Sequence, residues 1–232
     1  MLLTEFFEYL TYGDLSHLSV SSLGENGITI DDQPKFINPI NLGLVALYTR
    51  LPLRTAEVHI QLYDHIDTYF LDSNFAQSNT ASTASPKYIV DSLSQPFTDS
   101  VLKVDNVFNE IGDEFPMNDS EQEASVYTPD YNSIQVPFAA SENAITAVYR
   151  SGPDRLTTRG QDPDTVNVPI PYYLLDALLG YVAMKIYSGM GNDKKAGIFR
   201  TIYEEQILIV DQRGLTHDET VLNEKLWRNQ WV

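Results

Sequence analysis
Tyr172-Tyr173-Leu174-Leu175-Asp176-Ala177-Leu178-Leu179-Gly180-Tyr181-Val182-Ala183-Met184-Lys185-Ile186-Tyr187-Ser188 decides the fold. Its polar residues are only Asp176, Lys185 and Ser188. A helix apolar on nearly every side must be buried on several of them. Gly189-Met190-Gly191-Asn192 then makes a tight turn, with Asp193 as the expected cap. Lys194 to Arg213 continues as a second helix that Gly214 terminates. Its expected core face is Ile198, Ile202 or Tyr203, Gln206 or Ile207, and Val210. Two long helices joined by a short turn predict an αα-hairpin.

Upstream of this hairpin the hydrophobic period changes. Pro169 and Pro171 fence it off, and Val166 with Val168 predicts a last strand before them. From Glu57 onward Val58, Ile60, Leu62 and Ile66 alternate with polar residues, as on a half-buried strand. Ile145, Ala147 and Tyr149 repeat that alternation. Further strands are expected at Val101–Phe108 and Phe115–Asn118, flanking Gly112-Asp113, and at Ser125–Thr128 and Ser133–Phe138, flanking Pro129-Asp130. Asn74 to Pro86 is rich in Ser and Thr and predicts a long loop. At the other end, Leu2–Tyr12 is an expected helix stopped by Gly13. Asn38-Pro39 is the expected start of another, with Ile40, Leu44 and Leu47 on one face and Pro52 at its end. The expected class is α+β: a helical bundle from residues 1–54 and 169–214, a β-rich middle insert at 55–168, and a C-terminal arm at 215–232.

Charge sets the insert apart. The 232 residues carry 15 Lys and Arg against 32 Asp and Glu, a formal net charge of −17. Between Thr55 and Tyr149 only Lys87 and Lys103 oppose fifteen acidic residues, so that stretch holds a net −13. A solvated acidic surface that aids solubility is the ordinary account of such a stretch. Nucleic-acid binders concentrate Lys and Arg, so a pI near 4.4 argues against a surface that grips phosphates. With no cysteine, disulfides, thiol nucleophiles and thiolate metal sites are absent, which suits reducing cytosol. Glu5 and Glu8 stand where a secretory signal needs Lys or Arg, and no apolar run approaches 18 residues, so no membrane role is expected.

Catalytic patterns are weak throughout, and no cofactor is expected. There is no phosphate loop, no His-Glu-x-x-His and no Gly-x-Ser-x-Gly. Gly189-Met190-Gly191 follows a helix, not a strand, and so fits a helix-to-helix turn rather than a nucleotide site. His59 and His65 share strand parity with Glu57 and Asp67, but a metal there needs ligands from a neighbouring strand. Asp162-Pro163-Asp164 lacks the remaining ligands of a calcium loop. His17 and His217 have no motif around them. Leu226, Trp227 and Trp231 cluster at the chain end and suggest a docking segment, unless both indoles fold back on their own bundle.

Three segments carry a resemblance. They are Asn38-Pro39-Ile40-Asn41-Leu42-Gly43-Leu44 running into Leu51-Pro52-Leu53-Arg54-Thr55; Pro169-Ile170-Pro171-Tyr172-Tyr173 through Ala183; and Tyr203-Glu204-Glu205 after the glycine turn. With this order of elements the chain resembles the head-to-tail adaptor, or tail-tube neck, proteins of short-tailed bacteriophages. The likeness covers the two ends by packing pattern and the middle by architecture alone. It implies a non-enzymatic virion protein, made in host cytoplasm, that forms a homo-oligomeric ring of twelve copies. Such a ring sits between the portal protein and a downstream tail tube or nozzle protein and continues the DNA channel for genome retention and ejection. It also implies portal docking by Leu226, Trp227 and Trp231. The acidic side chains Asp105, Glu110, Asp113, Glu114, Asp119, Glu121 and Glu123 would then face a channel that DNA crosses without specific binding. Two other classes stand beside this one: a carbohydrate-active or metal-dependent enzyme using an acidic cluster, and a monomeric tail-associated binding module.

Overall fold
The computed structural model describes residues 1–15, 28, 32–157 and 162–215, apart from the side chain of Gln33. It is a mixed α and β protein. Four helices are present among the described residues: α1 (Leu3–Tyr12), α2 (Gln33–Arg50), α3 (Leu175–Gly189) and α4 (Asp193–Gln212). The strands are β1 (Thr55–Gln61), β2 (Thr68–Phe70), β3 (Ile89–Val90), β4 (Val101–Asn109), β5 (Ser133–Gln135) and β6 (Ala144–Ser151). The described residues form two compact units. One comes from Met1–Leu44 with Leu156–Val232, the other from Val45–Arg155. These units divide earlier than the period changes along the sequence. On one side of the second division, Asn41 Nδ2 donates to Leu156 O and Asn41 Oδ1 accepts from Leu156 N, holding Leu156 with the first unit.

In the first unit α1 buries Leu3, Phe6, Phe7 and Leu10. It stops where Gly13 N donates back to Tyr9 O. A Cβ at position 13 would lie 2.5 Å from Tyr9 O, so only glycine fits. The start of α2 corrects the expectation at Asn38-Pro39. The helix begins at Gln33, and Pro39 lies inside it. The earlier Asp32-Gln33-Pro34 is the effective signal: Lys35 N and Lys35 Nζ both donate to Asp32, and a proline in the first turn costs no hydrogen bond. Burial of Phe36, Ile37, Ile40, Leu44 and Leu47 outweighs the bond that Pro39 cannot make.

The α3–α4 hairpin is antiparallel. Tyr181 meets Tyr203 edge-on at 5.3 Å, and Tyr187 stacks on Phe199 at 5.3 Å. Close approach is possible because Gly180 faces Phe199 O and Tyr203 N. Gly191, with φ +73°, makes the turn. Asn192, not the expected Asp193, is the cap: its side chain accepts from Lys195 N at 3.2 Å, and Asp193 is already the first helical residue. The expected strand at Val166 and Val168 is a single bridge, Asn167 with Leu2. Leu3 N and Val168 N satisfy the neighbouring carbonyls of Val166 and Met1.

The second unit holds an antiparallel sheet in the order β3-β1-β6-β4 and a β2–β5 pair. Register places Val58 opposite Ala147 and Ile60 opposite Ile145, so β1 and β6 share one buried face. Val101, Val104 and Val107 recur every third residue, a helical spacing, yet all are buried on β4. Register shifts at Val101/Lys103 and Val104/Asn106 explain this, since each extra residue returns the next valine to the core. Two expectations are corrected here. Phe115–Asn118 is not a strand; Met117 makes a single bridge with Val126, and the Phe108–Glu114 bridge falls just before it. Ser125–Thr128 likewise reduces to Val126 and Tyr127, the latter paired with Gln135.

The Ser/Thr-rich loop is pinned at several points. Asp91 accepts from Ser78 N at 2.7 Å, from Ser78 Oγ and from Phe97 N at 2.8 Å. Phe75 stacks on Tyr88 at 4.7 Å. Tyr88 Oη in turn accepts from Phe70 N (2.9 Å) and donates to Phe70 O (3.1 Å). Every buried side-chain nitrogen and oxygen among the described residues has a partner.

Candidate functional site
The αα-hairpin presents the first candidate surface. On α4 the core face is Ala196, Tyr203, Ile207 and Val210. Ile198, expected there, is instead 53% exposed. Ile202, half-buried, packs toward Gly180 of α3, whereas Ile198 and Ile209 turn away from that core face. Leu208 lies beside them and is also 53% exposed. Ile198, Leu208 and Ile209 thus leave an exposed apolar surface on a packed helix, which is chemistry for a protein contact.

The acidic candidates divide by what their carboxylates do. Asp105 lies on β4 and receives Arg150 Nε at 2.9 Å and Lys103 Nζ at 3.3 Å. Glu110 accepts from Ala144 N, and Glu114 accepts from Asn106 Nδ2 at 2.6 Å. Asp113 accepts from Asn109 Nδ2 at 3.2 Å. Asp119 receives Glu121 N at 3.0 Å and Gln122 Nε2 at 2.7 Å. Those bonds, the backbone one first, hold its carboxyl below the usual range. Five of the seven are therefore structural acceptors, Asp105 on β4 and four in the turns after it; Glu121 and Glu123 are exposed, as are Glu110, Asp113 and Glu114. The docking residues Leu226, Trp227 and Trp231 lie outside the described residues, as do His17 and His217.

The histidine row does not form. His59 is on β1 with Nδ1 2.9 Å from Thr146 Oγ1, but His65 sits in the turn after it, against Tyr63. Among the described residues no group of three or more His, Asp and Glu side chains is placed to hold a metal. Asp162 caps the short turn Pro163–Thr165, accepting from Asp164 N, and Asp164 accepts from Thr4 Oγ1. No described helix is long and apolar enough to cross a membrane.

Two concavities escaped the sequence. In the second unit a cleft of about 270 Å³ is lined by Leu62, Phe115, Val126, Val136, Phe138 and Ile145, among others. Its members come from separate short segments, so no local pattern marked it. In the first unit Glu5, Glu8, Tyr9, Tyr12, Gly13 and Tyr172 line an open hollow of about 560 Å³. Here a signal existed: positions 5, 8, 9 and 12 share one face of α1, opposite Leu3, Phe6, Phe7 and Leu10. Just beyond, Asp14 is pushed up by burial and then by Asp176. Neither models of protein families nor curated proteins match this chain.

Proposed function
We propose that the protein is a structural subunit of a bacteriophage neck, assembling as a ring of twelve copies between portal and tail. The observation that carries this reading is the exposed apolar surface of α4. Ile198, Leu208 and Ile209 lie off that helix's own core, and Ile198 and Leu208 stay 53% exposed in a single copy. A neighbouring subunit in a closed ring would cover such a surface. In this reading the two chain ends form a helical bundle that seats the subunit. The arm with Leu226, Trp227 and Trp231 anchors it on the portal, and a tail tube or nozzle protein docks below.

The insert suits passage of DNA because its acidic groups give phosphates nothing to hold. Glu121 and Glu123 are the residues to face the lumen, since the other five candidates are engaged within the fold. The protein works in the virion after synthesis in host cytoplasm and needs no catalysis. Sedimentation of the chain alone and with portal rings tests this. Slow, mainly monomeric sedimentation alone and co-sedimentation in a fixed ratio with portal support it. A tight portal-independent dimer, or no association with portal, overturns it. A monomeric tail-associated binding module is the second reading, favoured by the apolar cleft of about 270 Å³.

A further inference from the structure
The hollow on the outer face of α1 combines three exposed tyrosine rings with two carboxylates. Tyr9 is 51%, Tyr12 74% and Tyr172 72% exposed, and all three line the same concavity as Glu5 and Glu8. Lining one hollow together, the three rings offer apolar faces and polar tips to a partner. Within α1 the placement follows helix geometry: Glu5, Tyr9 and Tyr12 run along one ridge, with Glu8 next to it. Tyr172 arrives from the turn that precedes α3 and closes the other wall. Gly13 keeps one rim free of a side chain. No Lys or Arg lines the hollow, so its negative charge is unopposed there.

Aromatic faces and carboxylates attract the same kind of group, an organic cation. A guanidinium stacks on tyrosine rings and also donates in its own plane to carboxylate oxygens, whereas an ammonium is a compact, strongly hydrated point charge. The volume lies within the range of ordinary ligand sites. Glu5 already accepts from Leu2 N at 3.0 Å through Oε2, which orients it and leaves Glu8 as the more available partner. The net charge of −17 steers basic partners toward this protein in general. The tyrosines supply what the net charge cannot, a defined seat.

We propose that this hollow is a docking site for an arginine side chain of a partner protein, with the guanidinium between the tyrosine rings and paired to Glu8. The proposal is independent of ring assembly, and each can fail without the other. The test titrates N-acetyl-arginine-N-methylamide into the full chain, with shifts of ring-labelled tyrosines as the readout and the uncharged citrulline analogue as control. Saturable shifts confined to Tyr9, Tyr12 and Tyr172 are expected, with the citrulline analogue at least about tenfold weaker. Tyr12→Ala removes one exposed ring from the surface and should weaken binding about threefold, the size of one exposed cation–π contact. Glu8→Gln should weaken it by a similar factor, while Glu121→Gln, which removes the same charge from the other unit, should leave it unchanged. Equal binding of citrulline, equal loss in Glu121→Gln, or shifts spread over tyrosines outside the hollow would overturn the proposal. The last two outcomes would reduce it to diffuse attraction by an acidic protein.

Discussion

Gly43→Ala and Gly197→Ala place the same methyl group on two helices, and the structure requires opposite outcomes. In a helix interior alanine is intrinsically better than glycine by about 1 kcal/mol. At Gly197, on the exposed side of α4, a new Cβ meets nothing within 4 Å, so most of that gain should appear. At Gly43, on α2, the new Cβ would lie 2.6 Å from Leu178 Cδ1 and 3.0 Å from Tyr181 Cδ1. Leu178 is fully buried on α3, so its methyl can move only against a close-packed interior. Overpacking of this kind costs about 1–3 kcal/mol, which cancels or exceeds the propensity gain. The net expectation for Gly43→Ala is a loss of about 0–2 kcal/mol, against a gain of about 0.5–1 kcal/mol for Gly197→Ala. For a chain of this size each kcal/mol moves the midpoint by about 2–4 °C, so the two variants should separate by several degrees. Thermal unfolding followed by far-UV circular dichroism reads this directly. If Gly43→Ala melts with or above Gly197→Ala, α2 does not pack on α3 as described.

Three further outcomes follow from single side chains. Tyr88→Phe removes the hydroxyl that serves both Phe70 N and Phe70 O and should cost about 1–2 kcal/mol in urea unfolding; an unchanged midpoint would mean that water replaces it fully. Burial alone would raise the Asp91 carboxyl, but bonds from Ser78 Oγ, Phe97 N and Ser78 N win and hold it below 3.8. Its contribution is therefore present above pH 3.8 and lost as pH falls through its lower folded value. The stability gap between the natural chain and Asp91→Asn should accordingly narrow on acidification, and a gap that widens below pH 3.8 would contradict the sign. Glu121→Lys with Glu123→Lys should leave the fold intact and slow DNA passage most at low salt, whereas Asp105→Lys should destabilise the insert by setting a third cation beside Arg150 and Lys103. Equal melting of the two charge-reversal variants would show that the Asp105 cluster contributes nothing.

Legibility followed the range of the interactions involved. The α3–α4 hairpin was visible because its core face repeats within a few residues, and β1 and β6 were visible because Val58, Ile60, Ile145 and Ala147 alternate cleanly. Local competition defeated the start of α2, where two proline signals stand five residues apart and the more distinctive Asn-Pro was not the one in use. Phe115–Asn118 failed for a different reason. Its backbone groups pair one at a time, Phe115 N with Val107 O and Asn118 N with Val126 O, while Asn118 Oδ1 accepts from Thr128 N ten residues away, so no period results. Ile198 has the right spacing for either face of α4, and only the position of α3 decides which face is covered. The acidic stretch was visible as charge, but not as a set of acceptors, because Ala144 N and Arg150 Nε are brought to Glu110 and Asp105 from 34 and 45 residues away. The tyrosine hollow needed Tyr172 beside α1, a contact across most of the chain.

The proposed assembly on a portal is tested most directly by negative-stain imaging of the full chain mixed with phage portal rings. A second ring of density, twelve-fold and stacked on one face of the portal, is expected, and it should be absent when the chain is truncated after Gly214. Portal rings that remain bare beside free monomers, or decoration that survives the truncation unchanged, would contradict it.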